Sequence, residues 1–314
     1  MKIIISFLTT NFTELKKYWG KNKTKTKKSK FCGTDKVFDV NLGGKLIIID
    51  WEKKKIVKEK NITTPAGLDV TKNKIYVCTS GNKISILNHN LKIKKTIINK
   101  YLNDLHSLNL VGSKYILLTS TGLDSILMID KKGKLYWSWF ATENGYNRDT
   151  KGRIRIVDRK INHRNKKYPT LQQTTHLNSA FYAGKTKYYG DTIYCLLFHQ
   201  GEIIAIDKKT LETKKVMGGL KHPHSIYLLN KKMMVSDTEN HSIIISDKNF
   251  NKIRREKIKN VGWIQDATFL KNGNILISDP DNNRIIEFNP KNKKIIQQMD
   301  FNKEWRIYQA KELY

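Results

Sequence analysis

The chain has 314 residues, of which 39% are hydrophobic, and it contains six Trp, so it is not a disordered polypeptide. It has no run of about 18 apolar residues, so we expect neither a membrane-spanning helix nor a membrane partner. The formal net charge is +31, from 59 basic and 28 acidic residues, yet only nine of the basic residues are Arg.

The basic charge has two explanations, a nucleic-acid-binding surface or a bias in codon usage. Proteins that read nucleic acids usually rely on Arg, whose planar fork grips phosphate and guanine. Here Lys dominates, lies mostly in turns such as Lys53–Lys55 and Lys208–Lys209, and accompanies many Asn and Ile, as an AT-rich genome would encode. We therefore expect no nucleic-acid partner.

The sequence start and the cysteines bear on location. The run IIISFL after Lys2 is shorter than the apolar core of a signal peptide, and no small-residue cleavage site follows it. The chain has an odd number of cysteines, and their spacing is not that of metal ligands: Cys32, Cys78 and Cys195. A cytoplasmic location is expected.

In chain order, residues 2–8 predict a first strand, and residues 43–60 predict two further strands with a turn after Asp50. Residues 9–42 between them are predicted to be an insertion. The three strands lack a fourth neighbour in this part of the chain, and residues 305–313 at the other end supply a matching apolar strand.

Between these ends the chain repeats. Five segments align without a gap, each an apolar strand, a polar turn and a second apolar strand: residues 75–88, 117–130, 194–207, 234–247 and 276–289. A short apolar run precedes each segment and a Lys-rich turn with another strand follows it, which makes four strands in about 40 residues. This period favours propeller blades over a two-sheet sandwich, which would not explain the constant spacing.

The predicted fold is therefore all-β, a six-bladed β-propeller forming one domain over residues 1–314. Five blades are predicted at about 66–99, 106–139, 176–217, 224–258 and 266–299. The remaining blade is closed by residues 2–8, 43–60 and 305–313, so that both chain ends cover the strand edges that an open ring would expose.

The starts of the inner strands of a propeller ring the central axis on one face. In four of the predicted blades these positions hold His106, His176, His224 and Asp266. Three imidazoles and a carboxylate suit a divalent transition metal with positions left open for water or substrate. The same residues also suit a metal-free catalytic or ligand-binding cluster, or turns closed independently by His side chains.

Two further groups of residues belong to this face. His199 lies in a turn between the second and third strands, and with His176 and His224 it is a candidate for proton transfer or nucleophilic catalysis. Residues 140–175 form a long insertion that contains five of the nine Arg. We expect a cap in which Arg159 and Arg164 bind a small anionic molecule, or alternatively a plug whose Arg residues pair with Glu143, Asp149 and Asp158.

The runs WSWFATENGY (137–146) and LQQTTHLNSAF (171–181), with GLKHPHSI (219–226), resemble uncharacterised bacterial six-bladed propeller proteins. These are related to NHL-repeat, gluconolactonase-like and arylsulfotransferase-like propellers. The resemblance implies the propeller fold. An arylsulfotransferase-like chemistry would imply His224 or His176 as the residue that accepts the sulfuryl group. The gluconolactonase-like metal site uses Glu, Asn and Asp where this chain has His.

Two functions follow as hypotheses. The first is a metal-dependent or His-dependent enzyme, either a hydrolase or lyase or an arylsulfotransferase-like transferase, that acts on a small anionic substrate under the cap. The second is a non-catalytic, NHL-like binding module for a protein, glycan or RNA partner. The chain has no P-loop, dinucleotide-binding Gly motif or nucleophile elbow, so those enzyme classes are not expected.

Overall fold

The computed structural model describes residues 1–23, 42–229 and 231–313, and it contains six four-stranded antiparallel sheets. The sheets form a six-bladed β-propeller, which confirms the predicted fold. Blade 1 comprises β1 (Lys2–Thr9), β2 (Lys45–Asp50), β3 (Lys55–Asn61) and β24 (Arg306–Glu312). Blade 2 comprises β4 (Pro65–Val70), β5 (Ile75–Thr79), β6 (Lys83–Leu87) and β7 (Ile93–Ile97).

The other four blades follow in chain order. Blade 3 comprises β8 (Leu105–Val111), β9 (Tyr115–Ser120), β10 (Ser125–Asp130) and β11 (Leu135–Phe140). Blade 4 comprises β12 (Leu177–Gly184), β13 (Thr192–Leu197), β14 (Glu202–Asp207) and β15 (Thr213–Met217). Blade 5 comprises β16 (Ile226–Leu229), β17 (Lys232–Asp237), β18 (Ser242–Asp247) and β19 (Arg254–Lys257). Blade 6 comprises β20 (Asp266–Phe269), β21 (Ile275–Asp279), β22 (Arg284–Asn289) and β23 (Lys294–Asp300).

Burial explains the composition of the strands. The second strands of the blades, such as β5 and β13, are buried along their whole length, because neighbouring blades cover both of their faces. They are accordingly continuous apolar runs. The outermost strands β3 and β7 are largely exposed, and they contain several Lys residues beside their apolar ones. Apolar clusters fill the spaces between blades, for example where Ile5 and Phe7 meet Leu276 and Ile285.

Both ends of the chain meet in blade 1, as predicted. β1 pairs with β2 on one side and with β24 on the other, with Ile5 opposite Ala310. Between β1 and β2, helix α1 (Phe12–Lys23) begins where the carboxylate of Glu304 accepts hydrogen bonds from the backbone N–H and the hydroxyl of Thr13. The rest of the predicted insertion, residues 24–41 with Cys32, lies outside the described residues. None of the helices described is long and apolar enough to span a bilayer.

The predicted insertion at residues 140–175 is a cap with little regular structure. It contains two short 3₁₀ turns, Ala141–Glu143 and Thr170–Gln172. Among the described residues, one isolated β-bridge joins Arg148 to Ile154. Its residues nevertheless make specific contacts. Tyr168 is buried against the core, and His163 donates from Nε2 to the Asp158 carbonyl while its Nδ1 is hydrogen-bonded to the Tyr168 hydroxyl.

One buried carboxylate fastens the cap to the propeller. Asp124, at the end of a 3₁₀ turn between β9 and β10, is fully buried and forms an ion pair with Arg155 of the cap, itself only 1% exposed. The same carboxylate accepts the backbone N–H groups of Thr174, Thr175 and His176. Arg155 also donates to the Gly122 carbonyl and stacks over Tyr168. The carboxylate thereby fixes the backbone at the entry to β12.

We expect Asp124→Asn to destabilise the protein by about 3–5 kcal/mol, because it leaves the guanidinium of Arg155 buried without a counter-charge. The control is Glu143→Gln, which breaks the exposed pair between Glu143 and Arg159 and should cost about 1 kcal/mol or less. Urea unfolding of both variants measures the free energies. Equal losses in the two variants would contradict the anchoring role of Asp124.

Candidate active site

The inner strands bring the predicted residues together on the axis. A small cavity there is lined by His106, Ser107, Asn178, Ser179, His224, Ser225, Tyr227, Gln265, Asp266, Tyr308 and Gln309. The volume open to the centre of a water molecule is about 10 Å³, which is enough for a single ordered water. Three of the four predicted metal ligands, His106, His224 and Asp266, therefore share one water-sized space.

His106, the second residue of β8, is held between two acceptors. Its Nδ1 lies 2.8 Å from Asn178 Oδ1 on the neighbouring inner strand, and its Nε2 lies 3.5 Å from Asp104 Oδ1. Burial lowers the pKa of His106, but the charge and hydrogen bond of Asp104 and the hydrogen bond of Asn178 outweigh burial. The net pKa of His106 is raised above its ordinary value.

His224 has the opposite character. Its Nδ1 lies 2.8 Å from the His222 carbonyl and 3.0 Å from Thr238 Oγ1. Burial, together with the repulsion from His106, lowers the pKa of His224 to about 3. Since the carbonyl can only accept a hydrogen bond, Nδ1 carries the hydrogen and the ring stays neutral. Its Nε2 has no hydrogen-bond partner within the described residues and is free to accept one.

Asp266 begins β20 and is 3% exposed. Burial raises the pKa of Asp266 to about 7, although the charge of Lys311 and hydrogen bonds from Tyr227 and the Ala310 backbone lower it in part. A carboxyl group that titrates near neutral pH can give or take a proton there. Burial, and after it the charge of Asp266, raises the pKa of Tyr227 well above its ordinary value.

His176 and His199 flank the cavity without lining it. His176 has a φ of +49°, and its Nδ1 lies 2.5 Å from Gln173 Oε1. Its ring meets that of His106 edge-on at 4.9 Å, and burial with the surrounding histidines holds the pKa of His176 well below its usual range. The ring of His199 is 5.7 Å from that of His176, and its Nε2 contacts the Thr170 carbonyl at 3.1 Å.

Phe198 connects the histidines of this face. Its ring centroid lies 4.8 Å from His176, 5.5 Å from His199, 4.2 Å from His222 and 5.3 Å from His224. The contacts with His176 and His224 are edge-to-face, a favoured arrangement for aromatic rings. Trp263 extends the aromatic surface, with its ring 5.1 Å from that of His224.

The four predicted metal ligands do not form a chelating group. Each imidazole has its Nδ1 on a hydrogen-bond acceptor, which is the outer-shell pattern of metal-binding His, but Asp266 is turned toward Gln309, Ala310 and Tyr227. No three His, Cys, Asp or Glu side chains in residues 1–23, 42–229 and 231–313 are placed to hold a metal ion. The divalent metal stays a prediction.

The arginines of the cap differ in their partners. Arg153 pairs with Asp149, and Arg159 pairs with Glu143 and lies over Phe140 at the end of β11, the outer strand of blade 3. Arg159 is therefore not at the cavity. The guanidinium of Arg164 forms no hydrogen bond or ion pair within the described residues, and its Nε is buried.

Arg164 belongs to the rim beside His106. Its carbonyl accepts a hydrogen bond from Asn82, and the Asn82 side chain also receives the backbone N–H of Asp104. Lys167 is on the same side: burial lowers the pKa of Lys167 to about 8, partly offset by the charge of Asp104. Of the two arginines predicted to bind an anion, Arg164 has its backbone on the side of Asp104 and His106, and anion binding by either stays a prediction.

Sequence reasoning missed the residues that orient the histidines. Asp104, Gln173 and Phe198 stand two, three and one positions before His106, His176 and His199. Those short spacings were the available signal, because a side chain at such a distance in a turn can reach its neighbour. Asn178 and Tyr308 had no such signal, since they reach His106 from other blades.

The raised pKa of Asp266 predicts a pH-dependent stability. Between pH 3.8 and about 7 the folded protein keeps a proton that the unfolded chain has released, so stability is lost as the pH rises through this window. Relative to Asp266→Asn, wild type should lose about 2–3 kcal/mol between pH 5 and 8, measured by urea unfolding. Asp281→Asn, at an exposed carboxylate, is the control. Parallel profiles for wild type and Asp266→Asn would contradict a neutral buried Asp266.

Comparison with known proteins supports the fold. No protein-family profile and no curated protein matches the chain. Virginiamycin B lyase from Staphylococcus aureus is 14% identical, with a TM-score of 0.51 over 75% of this chain and 69% of that chain. A protein of unknown function from Bacteroides caccae is 16% identical, with a TM-score of 0.59 over 85% and 93%.

A chain of the nidogen/laminin complex is 12% identical, with a TM-score of 0.62 over 99% of this chain and 97% of that chain. The three likenesses support the resemblance to propeller proteins that the sequence indicated. They leave the NHL-like and arylsulfotransferase-like labels as predictions. At these identities they establish the fold alone: the chain is a six-bladed β-propeller.

Proposed function

We propose that the chain is an enzyme that performs acid–base catalysis on a small anionic molecule at the axial cavity, in a reaction of hydrolase or lyase type. The observation that carries this proposal is the shared cavity of Asp266, His106 and His224, whose pKa values are shifted in different directions. Groups with such separated pKa values in one site are typical of acid–base pairs.

Each group has a role that follows from its environment. Asp266, with a pKa of about 7, takes or gives the proton of a water or substrate hydroxyl. His106, whose proton is stabilised by Asp104, donates a hydrogen bond to negative charge that develops on the substrate. His224 stays neutral and orients the reacting water through Nε2.

The preference for an anion rests on the rim. The backbone of Arg164 and the side chain of Lys167 lie on the Asp104 side of His106, and the fork of an Arg suits a carboxylate, phosphate or sulfate. Arg164 brings no counter-charge of its own to this rim, so a bound anion would supply one. The cap segment that carries both residues is fastened through Arg155, which favours a fixed position for them.

A second candidate function is a binding module, and the size of the cavity favours it. A space for one water cannot enclose a substrate, whereas the surface formed by Phe198, His222 and Trp263 can contact a larger partner. In that case the buried histidines would hold the shape of the face. The alternative is kept because the fold serves both enzymes and binding modules.

Hydrolysis of p-nitrophenyl acetate, p-nitrophenyl phosphate and p-nitrophenyl sulfate tests the proposed enzyme activity. We expect Asp266→Asn and His106→Gln to lower kcat/KM at least about 100-fold on the probe that is turned over, because each removes a group of the proton transfer. An inflection of the wild-type rate near pH 7 should be absent in Asp266→Asn. His89→Ala is the control, because His89 lies in a hairpin turn and contacts the Thr71 carbonyl.

Two results would reject this scheme. Unchanged rates in Asp266→Asn and His106→Gln would place the reaction elsewhere. Absence of turnover on all three probes, with saturable binding of a peptide, glycan or RNA that Trp263→Ala abolishes, would establish the binding module.

Elemental analysis of wild type and His106→Ala tests the metal expected from the sequence. A stoichiometric metal that the variant loses would replace the metal-free scheme.

A further inference from the structure

The propeller collects its Lys-rich turns at one end of the strands. The axial site lies where the innermost strands begin, for example at His106 of β8 and Asp266 of β20. Neighbouring strands of a blade are antiparallel, so the turns between first and second strands and between third and fourth strands lie at the opposite end. We call these turns together the basal face. Its turns between third and fourth strands are residues 51–54, 88–92, 131–134, 208–212, 248–253 and 290–293.

Lys is distributed unevenly between the two ends of the blades. Each of those six turns contains Lys, and so does each turn between first and second strands in blades 2–6, such as residues 71–74. At the end of the axial site, the turns between second and third strands of blades 2–6 contain neither Lys nor Arg: residues 80–82, 121–124, 198–201, 238–241 and 280–283. Codon bias can explain how many Lys residues the chain has, but the strand order gathers them on one face.

The carboxylates of the basal face offset little of this charge. Asp130 and Asp207 end third strands and accept backbone N–H groups of their own turns, as in the 2.8 Å bond from Lys132. The side chains of Lys132, Lys209 and Lys291 are exposed. The acidic residues within the turns themselves are Glu52, Asp191 and Glu212. The face is therefore strongly positive and complementary to an anionic surface.

Exposed apolar side chains accompany the Lys residues at the edge of the basal face. In five of the six blades one lies within two residues of the start of the outermost strand: Val57, Ile93, Tyr136, Ile253 and Ile295. Each of the five is at least 40% exposed. Surfaces that bind at a membrane interface combine these two features, because apolar side chains enter the headgroup region while Lys contacts anionic lipid.

The shape of the basal face favours a planar partner over a linear one. Its longest turn, residues 185–191, has seven residues, whereas the opposite end carries the cap at 140–175 and helix α1. A plane can therefore reach Lys residues of several blades at once. A single strand of nucleic acid would cross fewer blades, and its bases would need aromatic rings for stacking where this edge has mainly Val and Ile.

We propose that the basal face docks on an anionic membrane surface, with its Lys residues against the headgroups and its exposed apolar side chains in the interfacial layer. Contact of this kind needs no membrane-spanning helix, and the expectation of no membrane partner concerned such a helix. The docked protein presents its cap and axial site to the aqueous phase. Docking is independent of the proposed enzyme activity, because the axial site lies at the other end of the strands.

Co-sedimentation of the full chain with vesicles tests the charged part of the basal face. We expect binding to phosphatidylcholine vesicles that contain about 30% phosphatidylserine, and none to phosphatidylcholine alone. Raising NaCl from about 0.1 M to about 0.5 M should release the protein, since salt screens the Lys charges. The triple variant K132Q/K209Q/K291Q should bind about 100-fold more weakly. The charge-matched control K160Q/K259Q/K303Q, at the end of the axial site, should stay within about threefold of wild type.

A second pair of variants tests the apolar part. The double variant I253S/I295S should weaken binding to the mixed vesicles about tenfold, because it removes apolar side chains from the interface. The matched control is I154S/I156S, two exposed Ile residues of the cap, which should bind like wild type. Equal melting temperatures of all variants exclude a loss of fold.

Three results would overturn the proposal. The first is absence of binding to the mixed vesicles, or equal binding to both kinds of vesicle. The second is an equal loss in the two triple variants, which would show that only net charge matters. The third is tighter binding to a fluorescein-labelled single-stranded oligonucleotide than to the vesicles, unchanged in I253S/I295S, which would assign the basal face to nucleic acid.

Discussion

The candidate site depends on the carboxylate of Asp124. Its buried pair with Arg155 holds the cap, and its bonds to three successive N–H groups hold the backbone up to His176. Two residues later Asn178 fixes the ring of His106 from the next blade. One buried charge thus joins the cap to the backbone at His176, two residues before the Asn178 that contacts His106. A neutral side chain could not satisfy Arg155 and the three N–H groups together.

The histidines of this face share a construction but differ in protonation. In His106, His176 and His224 an oxygen acceptor engages Nδ1, so the rings have fixed orientations. What separates them is the charge beyond the ring. Asp104 stands beside His106 and raises its pKa, whereas burial and neighbouring imidazoles lower the pKa of His176 and His224. The carboxylate of Asp104 therefore separates the pKa of His106 from those of the other two rings.

The sequence repeat was sufficient to predict the fold and the inner-strand positions of His106, His224 and Asp266. A period of about 40 residues fixes both the number of strands and the face on which each strand starts. It carries no information on contacts between blades, so the roles of Asn178 and Tyr308 were not predictable. The cap had no period at all. Of its arginines, Arg155 pairs with Asp124 and Arg159 with Glu143, and anion binding by Arg164 stays a prediction.

The size of the cavity limits what the groups around it can contact. Asp266 is buried and His224 is half-buried around a space for one water. In the proposed function they would reach a larger molecule only through that water or through an atom that replaces it. Phe198 packs edge-on against His224, one of the residues that line this space. The hydrogen bond from Nδ1 of His224 to the His222 carbonyl fixes the orientation of the His224 ring within a single loop of blade 5. The shape of the cavity therefore depends on the loop that precedes β16 as well as on the inner strands.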